Sequence, residues 1–160
     1  MPKAIRIYKH GGPEVLKWED VEVGEPGEGE VRLKLKAAGL NFTDCYQRSG
    51  LYPMDLPLTL GAEGVGVVDA VGPGVTNLST GQRVAYSGGQ IGSYAEERLI
   101  SAEALIPLPE IIDDQTAAAM MLKGMTVHML LFKCYAVQPG EVILVHAAAG
   151  GVGTILCQWA

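Results

Sequence analysis

The chain has 160 residues and a formal net charge of −6, with 48% hydrophobic and 19% charged residues, a composition typical of a globular protein with a sizeable core. Its acidic balance argues against a nucleic-acid partner, and no apolar run approaches the roughly 18 residues of a membrane span. The cysteines Cys45, Cys134 and Cys157 are far apart and form no C-x-x-C step, as expected for reduced thiols in a cytoplasmic protein.

The first hundred residues predict a β-rich domain. Alternation of polar and apolar side chains indicates strands at 3–7 and 31–36, and a further strand is predicted at 94–100. Glycines interleaved with valines at 64–68 indicate a strand with bulges or close backbone packing. A short helix is expected at 41–48, where Asn, Thr and Asp can cap its start. Many short strands broken by Gly and Pro favour a barrel-like β domain.

Beyond Asp113 the composition shifts to helix formers. Asp113 or Asp114 can cap a first helix, which we expect to break at Gly124, and a second helix is predicted at 126–135. The β-branched run at 142–145 then predicts a buried parallel strand.

A glycine-rich loop follows that predicted strand. Residues 148–153 match G-x-G-x-x-G with Ala148 in place of the first glycine, and apolar side chains at helical spacing follow it. Gly150 would let the backbone approach a pyrophosphate, and Gly153 would let the helix lie close to its strand. The helix amides would hold the phosphate charge. The alternative is an ordinary strand–helix turn in another α/β domain.

The residues around this loop suggest a family. Gly140-Glu141, Leu144, Ala148-Ala149, Gly150-Gly151-x-Gly153 and Gln158 together resemble the quinone oxidoreductase (zeta-crystallin-like) branch of the medium-chain dehydrogenase/reductase family. The resemblance starts at Tyr8-Lys9-His10-Gly11-Gly12-Pro13 and covers essentially the whole chain.

The resemblance implies a mixed α/β fold in two parts. Residues 1–123 would form a GroES-like, β-barrel-type catalytic domain, and residues 124–160 would begin a Rossmann NADPH-binding domain. A doubly wound nucleotide domain needs more strands, so we expect the sequence to be part of a chain about twice as long.

The sequence predicts that the protein holds no metal. Zinc-dependent relatives place a Cys before a T-D step and a His in a G-H-E step, whereas Asn41 and Ala62 occupy these positions here. The four-cysteine structural lobe is also missing. Glu63 and Cys45 remain, but two scattered residues are a poor zinc site.

Without zinc, hydrogen bonds must polarise the substrate, and the candidate catalytic residues are Asn41, Tyr46 and Tyr52. The resemblance places the Asn41–Tyr46 segment beside the nicotinamide and the two tyrosines at the substrate pocket, where an aromatic ring could stack on a quinone. The alternatives are a helix cap for Asn41 and ordinary half-buried packing for the tyrosines.

The step Lys123-Gly124-Met125-Thr126 matches the family's K-G-x-T. The resemblance implies that Thr126 bonds the nicotinamide amide, that Gly124 allows a tight bend, and that Met129 lies against the cofactor. The alternative is a plain helix start with Thr126 as its cap. The candidate cofactor-binding residues are Asn41, Phe42, Tyr46, Lys123, Thr126, Met129, Ala149, Gly150, Gly151, Val152 and Gly153.

The resemblance implies a zinc-independent NADPH:quinone oxidoreductase that reduces quinones or related electron-poor carbonyl compounds. We expect a cytoplasmic homodimer with a small-molecule substrate and no nucleic-acid or membrane partner, and we expect the 160 residues alone to be inactive. The alternatives are an alkenal or enone C=C reductase, and a non-enzymatic NADPH-binding protein of the crystallin-like or RNA-binding kind. The preference for NADPH over NADH rests on resemblance alone, because the residues that read the ribose 2′ position would follow residue 160.

Overall fold

Two antiparallel sheets form the N-terminal part of the computed structural model, which describes residues 1–160. The first sheet has the strand order β2-β1-β4, and the second has the order β7-β3-β5-β6-β8. The strands are β1 (Lys3–Ile7), β2 (Lys17–Asp20), β3 (Glu30–Ala38), β4 (Leu58–Thr59), β5 (Glu63–Val71), β6 (Arg83–Ser87), β7 (Glu97–Ser101) and β8 (Ile106–Pro107).

Three α-helices complete the fold: α1 (Phe42–Ser49), α2 (Asp114–His128) and α3 (Gly151–Trp159). A π-helical stretch, Met129–Cys134, continues α2, and short 3₁₀ turns lie at Pro13–Val15 and Ala102–Ala104. Sheets and helices together give the mixed α/β fold that the sequence predicts.

The main hydrophobic core lies on one face of the larger sheet, as the alternation of its strand residues requires. Val31 and Leu33 on β3 are fully buried, while the alternating Arg32 and Lys34 reach Asp69 of β5 on the other face. This alternation follows from the two-residue period of a strand. The buried cluster comprises Val31, Leu33, Val68, Leu78, Val84, Tyr86, Ile100, Ala102 and Leu105.

The glycines of β5 have the packing reason that the sequence predicts. A Cβ at Gly66 would lie 2.5 Å from the carbonyl oxygen of Lys34, which no side chain could accept. The register between β3 and β5 also shifts between Leu35 and Ala37, as at a bulge. The start of β5 also packs against α2, through Val65 with Ala117 and Ala118.

Helix α2 differs from its prediction. The sequence predicts a break at Gly124 and a new helix at 126, whereas one helix runs through both residues and continues into the π-helical stretch. Gly124 is buried, with no φ in the left-handed range, and it adopts ordinary helical geometry. Packing on the sheet outweighs the modest helix penalty of one glycine, about 1 kcal/mol.

The helical stretch Asp114–Cys134 is long and apolar enough to cross a membrane by length and composition, so the expectation that no segment approaches such a span is wrong. Core helices of soluble proteins meet the same criterion. Here Ala117 and Ala118 are buried against Val65 and Ala85 of the sheet, and this packing makes α2 an element of the fold.

The predicted parallel strand at 142–145 does not form. These residues pair with no strand, and Val142 and Leu144 are 99% and 83% exposed. A strand requires a hydrogen-bonded neighbour, and no strand of either sheet pairs with this segment.

Candidate functional site

Helix α1 and the turn that follows it carry three neighbouring aromatic side chains. Asn41 precedes the helix with extended backbone angles, and its backbone N–H donates a hydrogen bond of 2.8 Å to the Asp44 carboxylate. The Phe42 ring lies 6.4 Å from Tyr46, and the Tyr46 and Tyr52 rings meet edge to face at 5.3 Å. All three rings are exposed in part, and together they offer an apolar surface on which a flat ring could stack.

The buried side of α1 holds a separate pair. The Tyr94 hydroxyl donates to Oδ2 of Asp44 at 2.6 Å, and Asp44 is itself buried. Burial raises the pKa of Tyr94, and the hydrogen bond to Asp44 raises it further. The phenol therefore stays protonated at neutral pH and serves to hold Asp44 at the start of α1.

Asn41, Glu63 and Lys123 form one polar network between the barrel and α2. The Asn41 amide nitrogen donates to Oε1 of Glu63 at 2.8 Å. The Lys123 ammonium donates to the same oxygen at 3.2 Å and to Oδ1 of Asn41 at 3.0 Å. Both polar ends of the Asn41 amide are thus engaged, and its orientation is fixed.

The glycine-rich loop leads into α3 with ordinary backbone geometry at Gly150. The φ and ψ of Gly150 are −77° and 170°, an extended conformation that other residues also adopt. Ala147 is the residue with a left-handed φ, at 51°. Its carbonyl accepts the Gly150 amide at 2.8 Å and so closes the turn before the helix.

Two other glycines have close neighbours, Gly153 in the loop backbone and Gly151 in the flexible side chain of Lys123. A Cβ at Gly153 would lie 2.3 Å from the carbonyl oxygen of Ala147 and 2.7 Å from Cα of Ala148. A Cβ at Gly151 would lie 2.8 Å from Cδ of Lys123. At Gly153 the helix approaches the loop backbone closely, whereas the strand that it was predicted to approach does not form.

Lys123 connects the two parts of the site. Its ammonium lies in the network with Glu63, while its stem passes Gly151 at the first turn of α3. Beside this contact a cleft of 590 Å³ is lined by Phe42, His146, Ala147 and residues 150–153. The start of α1 and the glycine-rich loop thus face one shared cleft.

The first turn of α3 meets the requirements of an anion site. The amides of Gly151, Val152 and Gly153 have no acceptor within the chain, because the first bond of the helix is made by Thr154 to Gly150. Free amides at the positive end of a helix bind phosphate well. Since Gly151 has no side chain, a pyrophosphate could approach them closely.

The remaining predicted residues lie along α2 and the loop. Thr126 lies inside α2, where its hydroxyl donates to the Leu122 carbonyl at 2.7 Å, so its interpretation as a cap at a helix start is wrong. Met129 follows at the start of the π-helical stretch and is half exposed, and Ala149 lies in the exposed turn before Gly150.

Residues at and beside the positions of the zinc ligands in zinc-dependent relatives form hydrogen bonds with each other here. Asn41 and Glu63 bond each other, and no group of three His, Cys, Asp or Glu side chains comes together anywhere in the chain. The donor chemistry at this position, an amide and a fully engaged carboxylate, does not fit a zinc ion. That the protein holds no zinc stays a prediction.

Sequence reasoning missed the importance of Glu63, which it considered only as a remaining metal ligand. The signal was present: Glu63 stands between Ala62 and Gly64-Val65 at the start of a buried strand. A charged residue in such a run is seldom buried unless it is paired. Its partners Asn41 and Lys123 are distant in sequence, so only the fold reveals them.

The fold and the site together define the class of protein. Residues 27–110 match the alcohol dehydrogenase GroES-like domain, and the chain belongs to that family. Within it, the chain is homologous over its whole length to quinone oxidoreductases of the medium-chain dehydrogenase/reductase family, as its sequence indicates.

The similarity to individual relatives is high. The chain is 52% identical to a quinone oxidoreductase of Pseudomonas aeruginosa over 161 residues, which covers 100% of the chain and 50% of that relative. It is 46% identical to a 2-haloacrylate reductase of Burkholderia sp over 166 residues, again 100% of the chain and 50% of the relative. The chain therefore spans about half the length of the relatives it matches.

A solved structure agrees in fold as well as sequence. The quinone oxidoreductase of Escherichia coli complexed with NADPH superposes with a TM-score of 0.95 at 47% identity, covering 98% of this chain and 48% of that one. The predicted fold class, a GroES-like domain within a mixed α/β chain, is thereby confirmed.

Proposed function

We propose that the protein is an NADPH-dependent quinone oxidoreductase that works without zinc. The observation that carries this proposal is the shared cleft, in which Phe42 at the start of α1 faces the glycine-rich loop. A nicotinamide enzyme needs both features, a phosphate-binding helix start and an apolar platform for a flat acceptor. Homology to quinone oxidoreductases along the whole chain supports the same conclusion.

The free amides of Gly151, Val152 and Gly153 would hold the pyrophosphate, with Ala149 and Gly150 forming the approach to them. Asn41, Phe42, Tyr46, Lys123, Thr126 and Met129 would line the nicotinamide end. When bound, NADPH supplies the hydride, and the protein supplies position and electrostatics. The fixed Asn41 amide retains one N–H that could donate to a substrate carbonyl.

Tyr46 and Tyr52 would hold the quinone. Their edge-to-face pair leaves part of each ring exposed, and a quinone ring could stack against it. The domain division at residues 1–123 and 124–160, the homodimer and the cytoplasmic location belong to the same proposal. A small-molecule substrate and the absence of a nucleic-acid partner agree with a net charge of −6.

A second candidate is reduction of a C=C bond in alkenals or enones. The 46% identity to a 2-haloacrylate reductase favours it, because that relative is named for reduction of an acrylate. The two candidates share the cofactor site and differ in acceptor. A non-enzymatic NADPH-binding protein would share only the loop.

The acceptor is tested by measuring NADPH oxidation by the full-length protein with a naphthoquinone and with an alkenal. We expect the naphthoquinone to have the higher kcat/KM. Turnover of the alkenal alone would assign the C=C reductase, and binding of NADPH without turnover of either acceptor would leave a non-enzymatic binding protein.

The cofactor site is tested with Gly150→Val. Valine can adopt the extended backbone of Gly150, although its Cβ would lie 3.1 Å from the Ala147 carbonyl oxygen, so folding of the variant is checked directly. Its branched Cβ would stand beside the free amides at the start of α3. Loss of one or two charge-assisted contacts should weaken NADPH binding by roughly tenfold or more. Fluorescence titration measures the Kd, with thermal unfolding as the control. Unchanged NADPH binding by a folded variant would show that the pyrophosphate binds elsewhere.

A further inference from the structure

Glu63 is the buried centre of the polar network between the barrel and α2. Its side chain is 0% exposed, and it opens strand β5 directly beneath the helix. Oε1 accepts from Asn41 and Lys123, and Oε2 accepts from the backbone amide of Leu122 at 2.7 Å. One carboxylate thus connects the start of α1, strand β5 and two successive residues of α2.

The surroundings require an acceptor at both oxygens. Each group that faces Glu63 is a donor: an amide NH₂, an ammonium and a backbone N–H. Space is also reserved for the carboxylate, because a Cβ at Gly39 would lie 2.2 Å from Oε1. Glutamine has nearly the same shape, but its NH₂ group would face a donor in either orientation.

The network holds Lys123 by three hydrogen bonds, of which the one to Leu40 is long. Its ammonium donates to Glu63, to Asn41 and, at 3.5 Å, to the Leu40 carbonyl, which accounts for its three protons. Its stem meets the first turn of α3, where a Cβ at Gly151 would collide with it. Lys123 therefore presents its stem to the loop and its charge to Glu63.

We propose that Glu63 is a positioning residue for the cofactor site, acting through Lys123. The carboxylate anchors the ammonium, the anchored stem fixes the first turn of α3 against the barrel, and the free amides of that turn are held in register with Asn41. This inference rests on the proposed function, since it assigns Glu63 to the affinity for the nicotinamide dinucleotide.

The test is Glu63→Gln in the full-length protein, with the Kd for NADPH and the KM for the quinone measured separately. We expect the Kd for NADPH to rise about tenfold, the scale of one charge-assisted contact. Because Glu63 also accepts from the Asn41 side-chain amide, quinone turnover should fall as well, so the Kd for NADPH measured without acceptor is the deciding value. Unchanged NADPH affinity overturns the proposal.

A matched control separates positioning from general loosening of α2. Asp114 anchors the first turn of the same helix to the barrel through Arg83, with Nη2 and Oδ1 2.6 Å apart, and it has no part in the Glu63 network. Asp114→Asn should lower the melting temperature without changing the Kd for NADPH. If both variants weaken NADPH binding in proportion to their loss of stability, Glu63 is only structural.

A double-mutant cycle tests the route through Lys123. Glu63→Gln should add little to the effect of Lys123→Met, because both changes remove the same anchor. Fully additive effects on the Kd contradict the route. If Glu63→Gln does not fold, Glu63→Asp takes its place, since the shorter carboxylate cannot reach both Leu122 and Lys123. Normal NADPH affinity in that variant also overturns the proposal.

The two proposals fail in distinguishable ways. If the unmodified protein binds no NADPH, the proposed function fails first. If the unmodified protein binds NADPH and reduces a quinone while Glu63→Gln binds the cofactor normally, only the inference about Glu63 fails.

Discussion

Gly153 and Gly124 differ in the space that surrounds them. A Cβ at Gly153 would meet the backbone of Ala147 and Ala148 well inside van der Waals contact, and backbone cannot move aside as a flexible side chain can. A Cβ at Gly124 would find only the end of Met120 at 3.8 Å, inside a regular helix. Replacement by alanine should therefore have opposite effects on the free energy of unfolding at the two positions.

We predict that Gly153→Ala lowers the free energy of unfolding by about 1–3 kcal/mol, through overpacking. We predict that Gly124→Ala raises it by about 0.5–1 kcal/mol, because alanine is the better helix former. Urea unfolding of both variants of the full-length protein measures the two values. Destabilisation by Gly124→Ala would mean that this position needs glycine for a reason other than helix geometry.

Sequence reasoning located the site better than it explained it. Phe42 and Gly151 were both predicted as site residues and line one cleft, and the stem of Lys123, also predicted, lies beside Gly151; that they bind a cofactor stays a prediction. Glu63 was missed, because its importance depends on donors that come from α1 and α2. That Gly150 lets the backbone approach a pyrophosphate stays a prediction, and the one left-handed φ of this turn, at Ala147, was not predicted.

Among the elements, α2 shows most clearly what pattern alone can predict. Its start was predicted at Asp113 or Asp114, and the structure has Asp113 as the N-cap, accepting from the Thr116 amide at 2.8 Å. Its continuation through Gly124 was not predicted, because the burial of Ala117 and Ala118 on the sheet cannot be read from local propensity. Local signals defined the start of the helix, and tertiary packing determined its length.

The Asp113 cap gives α2 a dependence on pH. The hydrogen bonds from the Thr116 backbone amide and then from its hydroxyl lower the pKa of Asp113. A depressed folded pKa means that the cap stabilises the protein above the unfolded pKa of about 3.9 and that this contribution is lost as pH falls through the folded value. We predict that Asp113→Ala lowers the melting temperature at neutral pH. The difference in melting temperature from the unmodified protein should narrow as the pH falls below about 3.9.

Asp113→Asn serves as the control for the charge. Asparagine is a good N-cap but does not titrate, so its difference in melting temperature from Asp113→Ala should vary little across the same acidic range. Thermal unfolding of the three proteins from neutral pH down to the acidic window makes the comparison. A gap between Asp113→Ala and the unmodified protein that stays constant on acidification contradicts the assignment.

At the scale of the whole molecule, the N-terminal β sheets have a buried core, whereas the segment 142–145 is largely exposed. The β sheets enclose the buried clusters, and the strand alternation that builds them was largely predictable from the sequence. The segment 142–145 was correctly identified as apolar and β-branched but wrongly predicted as a buried strand. Burial of a strand depends on a neighbouring strand, and its own residues cannot reveal whether one lies beside it.

The exposed segment 142–145 leads us to predict self-association of the 160-residue polypeptide. Val142 and Leu144 are 99% and 83% exposed, and their segment pairs with no strand. Such a segment is a template for pairing with another chain. We predict that the polypeptide associates in solution and that the double substitution Val142→Thr with Leu144→Thr reduces this association, as light scattering over a concentration series would measure.

The control for that prediction is Ile111→Thr. Ile111 is 94% exposed but lies in a turn, away from the unpaired segment, and single exposed apolar residues are ordinary on protein surfaces. Its replacement should leave the association unchanged, while circular dichroism should show the same fold for all the variants. If Ile111→Thr reduces association as much as the double substitution does, general hydrophobicity drives it. Only a reduction of association that is specific to the Val142 and Leu144 substitutions supports pairing through the segment 142–145.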